Sequence, residues 1–201
     1  MDLIAIILGG YLIGAIPFAF VIGKLFYHID VRQHGSGNLG GSNTGRVLGA
    51  KAGVAVMTLD LLKVTLVVFM AAKYCTHSWA VAWGAMSAAL GHCYPVFLQF
   101  RGGKAVATMY GFLFGLWVCV GFSPLTFFLP LVTFLLVLFL FRIVALSSMV
   151  SALSAVLWLW LATTHLSVRV AAVFFAGLVI ARHKGNIKRM LAGNENKIHW
   201  M

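Results

Sequence analysis

Negative charge is almost missing from this chain. Its 201 residues include four acidic side chains, Asp2, Asp30, Asp60 and Glu195, against 15 lysines and arginines, for a net charge of +11. Charged residues of both signs make up only 9% of the sequence and hydrophobic ones 62%, whereas a soluble domain is nearer a quarter charged and half apolar. With a mean hydropathy of +0.99, the chain has too little polar surface to wet a globular exterior. That excludes a water-exposed fold and points to an integral membrane protein. Cysteine is scarce as well: Cys75, Cys93 and Cys119 are odd in number and form no CxxC pair. They argue against a disulfide framework or a zinc site and read as small apolar fillers. No metal and no cofactor is expected. No basic stretch precedes the first apolar run, 3–23, which is also too long for a signal-peptide core, so it reads as a retained span.

The abundant lysines and arginines lie between apolar runs rather than in one basic patch. Nucleic acid is therefore not an expected partner; anionic membrane phospholipids and phosphorylated substrates are. No obligate protein partner is evident. Apolar runs of about 20 residues suit membrane helices. The run 105–141 is uncharged but too long for one crossing, and the turn-like Gly121-Phe-Ser-Pro124 divides it. Seven spans follow: 3–25, 53–73, 78–97, 105–121, 125–141, 145–163 and 167–182. The chain is thus expected to be all-α and polytopic, a single membrane-embedded domain over 1–201 without internal repeat. Seven spans place twelve of the basic residues on one side and leave Lys73 and Arg169 on the other, with Lys63 inside a span. The positive-inside rule then puts the N-terminus outside and the C-terminus in the cytoplasm.

Three polar segments share that cytoplasmic side. The first, His34 to Arg46, carries glycines at 35, 37, 40, 41 and 45. Positive φ at such residues lets backbone N–H groups curl round an anion, and Arg46 adds a planar fork for phosphate. A flexible loop has the same composition, and the pattern is neither GxGxxG nor a Walker loop, so nucleotide binding is not indicated. The second, Gly91 to Thr108, turns at Pro95 and presents Arg101-Gly-Gly-Lys104 at a helix start, a setting suited to phosphate or to lipid headgroups. His92 within it reads as a satisfied interfacial histidine. In the third, Arg182 to Glu195, Lys184, Lys188 and Arg189 read as a stop-transfer cluster. His183 and Asn186 fall on one face if the helix continues, and histidine suits proton transfer near neutrality. Asp60 and Lys63 are expected to neutralise each other inside the second span.

GSGNLGGSNTGR, GHCYPVFLQFRGGKAVAT and RHKGNIKRMLAGNE, together with YLIGAIPFAFVIGK and the Asp60-x-x-Lys63 pair, resemble the motifs of the bacterial acyl-phosphate:glycerol-3-phosphate acyltransferases, the PlsY family. They occur in the same order and at the same intervals, essentially end to end. The sequence departs from the pattern at Gly41, Ser42, Arg101, Ala105, Ala145 and Met190. Ala145 stands where the family often has serine, which puts a hydroxyl contact there in doubt.

The resemblance implies a seven-helix protein of the bacterial plasma (inner) membrane. Its reaction would move a fatty acyl group from acyl phosphate to the sn-1 hydroxyl of glycerol 3-phosphate, giving lysophosphatidic acid and phosphate for phospholipid synthesis. It also implies catalytic roles for His183, Asn186, Lys104 and Ser36. Substrate phosphate would be bound at Gly37, Asn38, Asn43, Arg46, Gly102 and Gly103. No thiol nucleophile or Ser-His-Asp order is evident, and no histidine has an aspartate five residues on, as acyl-CoA acyltransferases do. An organophosphate transporter would also use glycine breaks and basic helix ends, but the polar motifs lie on one side rather than mid-membrane. A purely structural membrane protein leaves them without a purpose.

Overall fold

The computed structural model describes residues 1–198, and every regular element among them is helical. The ranges expected as spans are helical over most of their length, with three changes of outline. The first span is broken into α1 (Leu3–Gly14) and α2 (Phe18–Tyr27). Pro17 lies at the break, because its ring offers no N–H and collides with the carbonyl four residues back. The freed carbonyl of Ile16 is taken up by the Lys63 ammonium at 3.0 Å. Next, the glycine-rich segment contains a helix of its own, α3 (Gly41–Leu48), before α4 (Ala50–Tyr74). The third change is a 57° bend at His183 that separates α9 (Leu166–Arg182) from α10 (Lys184–Leu191).

Between these lie α5 (Ala80–Cys93), a 3₁₀ turn at Val96–Leu98, α6 (Val106–Gly115), α7 (Leu125–Phe141) and α8 (Val144–Ala162). The last turn after α6, Leu116–Val120, is π-helical and stops at Gly121, whose φ is +89°. Gly121 and Pro124 thus form the divide expected in the long apolar run. Leu3–Tyr27, Ala50–Tyr74, Ala80–Leu98 and Val144–Ala162 are each long and apolar enough to cross a membrane; α9 with α10 qualifies as a bent pair, and 106–120 and α7 are shorter.

Small residues let these helices approach closely. Gly10 and Gly14 of α1 face Gly84, Ala88 and Gly91 of α5 so tightly that a Cβ on Gly14 would run into the Ala88 carbonyl. Such small-residue seams replace the hydrophobic drive that lipid removes. The interior is closed by Phe112 and Phe175, stacked at 5.2 Å, with Met109, Leu113, Leu116 and Leu159 around them. Outward, Leu8, Leu62, Leu136 and Leu161 are largely exposed; a belt of this kind suits acyl chains, not water. The same packing carries the three polar segments to one end of the bundle.

Candidate active site

The first segment is an anion cradle held in shape by Asn43. Gly35 and Gly37 take φ of +60° and +69°, a turn that only glycine enters without strain. Asn43 is 1% exposed. Its Oδ1 accepts from the backbone N–H of Ser36 at 2.8 Å and the Ser36 hydroxyl at 3.1 Å. Its Nδ2 donates to the carbonyls of Val31 and His34 at 3.0 and 3.2 Å. The amide is therefore spent on the loop, and Asn43 shapes the cradle more than it offers a free donor. Gly41 and Gly45, expected in the loop, lie in α3 and pack on α4 at Gly53 and Met57. Gly40 caps α3, so the N–H groups of its first residues, Gly41 and Ser42, have no partner within the helix and suit an anion. The rim carries Asp30, paired with Arg32 at 2.7 Å. That guanidinium's hydrogen bond draws the Asp30 carboxyl down to about 2.

In the second segment the glycines do other work than expected. The Gly103 N–H donates to the His92 carbonyl at 2.9 Å, and the carbonyls of Gly103 and Gly102 accept from Arg182, each at 3.0 Å. A Cβ on either glycine would collide with His92. Gly102 and Gly103 thus anchor a tight loop rather than offer a free N–H pair, because the loop must pass directly over His92. Lys104 does not open α6: it precedes Ala105, a left-handed residue with φ +61° that caps the helix. Its ammonium reaches Asn186 Oδ1 at 2.5 Å. Burial is the main cause that pulls the Lys104 pKa down to about 8, with Arg189, Arg46 and Arg182 adding to it.

The bend between α9 and α10 places His183 at the corner, yet both His183 and Asn186 are buried, at 3% and 7% exposed. The carbonyl of Val179 lies 2.8 Å from His183 Nδ1 and can only accept, so Nδ1 carries the proton and Nε2 presents its lone pair. Burial lowers the His183 pKa to about 4, which keeps the ring neutral at physiological pH. Asn186 Nδ2 donates to Glu195 Oε1 at 2.6 Å, and Arg189 donates to Glu195 Oε2 at 2.8 Å. Arg189 is therefore tied into the candidate site through Glu195, where the sequence reads it as a stop-transfer charge.

Two depressions meet here. One is a polar basin rimmed by Asp30, Arg32, Gly37, Arg101, Arg182 and Gly185. The other is a cavity of about 320 Å³ that runs between α4, α6, α7 and α8, walled by Leu61, Val106, Tyr110, Phe127, Leu131 and Phe134. Ser36, Asn38, Lys104, Asn186 and Arg189 line both. Asn43, Arg46, His183 and Glu195 also line the cavity, so it has a polar end and an apolar one, and the five shared side chains join it to the basin.

The family model for glycerol-3-phosphate acyltransferase matches residues 4–193. The chain belongs to the glycerol-3-phosphate acyltransferase family. It is 46% identical over 195 residues to a glycerol-3-phosphate acyltransferase of Geobacillus kaustophilus, covering 97% of this chain and 95% of that one. One from Listeria monocytogenes is 44% identical over 205 residues, covering 100% and 99%. A crystal structure of PlsY (YgiH), an integral membrane glycerol 3-phosphate acyltransferase, in its glycerol 3-phosphate form matches with a TM-score of 0.90 at 36% identity, covering 98% of this chain and 96% of that one. The chain is accordingly an acyltransferase of the bacterial inner (plasma) membrane.

Four residues of the candidate site were not singled out as site residues from sequence: Arg182, Arg189, Glu195 and Tyr110. The first three sit in a basic cluster that reads equally well as a membrane anchor, and only the fold of 192–198 back over α10 brings Glu195 to Asn186. Tyr110 is hidden in an apolar run; its hydroxyl lies 2.6 Å from Ser151 and donates to the Pro130 carbonyl at 3.2 Å. Ala145, where the family often has serine, lines the cavity beside Ser148.

Proposed function

We propose that this protein transfers a fatty acyl group from acyl phosphate to the sn-1 hydroxyl of glycerol 3-phosphate, releasing lysophosphatidic acid and inorganic phosphate. The observation that carries this reading is the shared wall between basin and cavity. A substrate pair with phosphates at one end and an alkyl chain at the other needs such a junction, and a free organophosphate does not. The basin and the polar end of the cavity take the phosphates, the apolar end of the cavity takes the acyl chain, and the reacting carbonyl falls between them, near Lys104.

The hydroxyl oxygen bonds to the carbonyl carbon while the carbon–oxygen bond to phosphate breaks, and the electron pair leaves with the phosphate. The donor is already an activated mixed anhydride, so the protein works by holding the partners in line and by meeting negative charge as it grows. The Lys104 ammonium and Arg46 face the phosphates, with Ser36, Asn38 and the start of α3 completing the cradle. Nε2 of His183 accepts a hydrogen bond from the neighbouring sn-2 hydroxyl and so orients the substrate, while a phosphate oxygen takes the proton of the attacking sn-1 hydroxyl. Residues 1–201 act as one membrane-embedded unit without cofactor or metal.

Purified protein in detergent should release phosphate from acyl phosphate only when glycerol 3-phosphate is present; release without it, or none at all, overturns the reading. With acyl-CoA of matched chain length offered in place of acyl phosphate, turnover should fall to background. Comparable turnover with the thioester would remove the donor assignment and leave the acyltransferase.

The site is further proposed to face the cytoplasm, with seven spans and the N-terminus outside, on the distribution of lysine and arginine. Single cysteines at Ser36 and Asn196, in a background free of the three native ones, should react with an impermeant thiol reagent only after the cells are opened. A cysteine at Ser78 should react in intact cells. Labelling of position 36 from outside would reverse the orientation.

A further inference from the structure

Behind the Gly102-Gly103 loop lie three polar side chains that the reaction above does not use. Asp60, Lys63 and His92 are 2%, 4% and 7% exposed, on helices made mostly of apolar residues. Charges at such depth are costly and are kept where they pair or act. Lys63 Nζ lies 2.7 Å from Asp60 Oδ1, which bears out their mutual neutralisation. It also lies 3.1 Å from His92 Nδ1, whereas Asp60 Oδ1 is farther from that nitrogen, at 3.5 Å.

An ammonium only donates, so Nδ1 accepts and the ring proton sits on Nε2. Nε2 faces Gly103, where a Cβ would strike it, and among the described residues it has no hydrogen-bond partner. His92 and Asp60 line the cavity, and neither lines the polar basin. The histidine expected to be a satisfied interfacial residue is thus a buried donor on the wall of the cavity that Lys104 also lines.

We infer that His92 is a further catalytic residue, whose Nε2–H donates to the carbonyl oxygen of the acyl donor as it becomes an oxyanion, with Lys63 and Asp60 fixing the tautomer. This rests on the acyl-transfer reading above. With phosphate at Lys104 and the alkyl chain among Leu61, Tyr110 and Phe127, the group that must lie between them is the carbonyl. No proton is transferred at His92. The hydrogen bond strengthens as the carbonyl electrons move to oxygen, and relaxes when phosphate departs.

A donor and a mere packing group predict opposite rankings of two variants. His92→Phe keeps the ring's bulk without the N–H and should lower kcat by ~10²–10³ while leaving KM for glycerol 3-phosphate nearly unchanged. His92→Gln places an amide N–H near the Nε2 position and should keep roughly ten times more activity than the phenylalanine variant. If the phenylalanine variant is active and the glutamine one is not, His92 is packing and the inference falls. Should His92→Phe fail to fold, ¹⁵N-histidine NMR of the wild-type protein in detergent decides. The His92 ring should carry its proton on Nε2, and that resonance should shift when lysophosphatidic acid is added. A proton on Nδ1, or no shift, overturns the proposal. Wild-type protein without any glycerol 3-phosphate-dependent transfer would instead remove the acyl-transfer reading itself.

Discussion

Lys104→Ala should lower turnover by ~10²–10³, the usual worth of one preorganised contact to developing negative charge. Lys104 lies on the wall common to the basin and the cavity, and its ammonium is aimed by Asn186. Among the described residues no other lysine lines either depression, so a neighbour cannot substitute for it as a compact ammonium. Lys104→Arg should recover only part of the loss, because a planar fork has a different reach and cannot sit between two phosphates as a compact charge does. The pH dependence supplies an independent sign. Burial has brought the Lys104 pKa from 10.5 down to about 8, so the charged form is present below that pH and is lost above it. kcat/KM, which reports the free enzyme, should fall as pH rises through about 8. The same limb in kcat should lie higher, since a bound phosphate dianion favours the ammonium. Neither limb should persist in Lys104→Arg. Wild-type activity in Lys104→Ala, measured as phosphate release, would reduce the lysine to a headgroup contact.

His183→Gln should lower kcat by up to ~10², the cost of a misplaced nucleophile, while the acid-side limb of its pH profile survives. A histidine with a pKa of about 4 is neutral through the physiological range and gives no limb near 6. The second ionisation of phosphate falls at about 6, so the limb belongs to the substrate and remains when the imidazole is gone. Rate should therefore fall as pH drops through about 6 in both proteins. Asn186→Ala is the comparison on the neighbouring turn: it cannot be a base, and its loss releases Lys104 and leaves Glu195 to Arg189 alone, so KM should rise along with the fall in kcat. If the limb disappears in His183→Gln and kcat drops by 10³ or more, His183 is the general base after all. Near-normal kinetics in both variants would remove the third motif from the site.

Much of this molecule was legible before folding. Membrane residence followed from the shortage of charge, and the helical runs followed from apolar length, because both are local properties of composition that packing cannot reverse. The divide at Gly121 and Pro124 was also visible, since these residues change backbone geometry whatever surrounds them. The three motifs named the family and picked out Ser36, Asn38, Arg46, Lys104, His183 and Asn186, which the structure brings to one cavity. The roles within them were another matter. The motifs suit a free N–H at Gly103 and a phosphate contact at Asn43, whereas the folded chain gives the Gly103 N–H to His92 and uses Asn43 to hold Ser36. A hydrogen-bonding group is specified by sequence, but its partner is specified only once distant segments meet. Lys63 shows this most plainly: one ammonium joins the broken first span, α4 and the end of α5 through Ile16, Asp60 and His92. Residue type and spacing determined which chemistry this chain carries. Tertiary structure decided which of those groups are spent on each other and which stay free for substrate, because buried donors and acceptors must find partners wherever packing puts them.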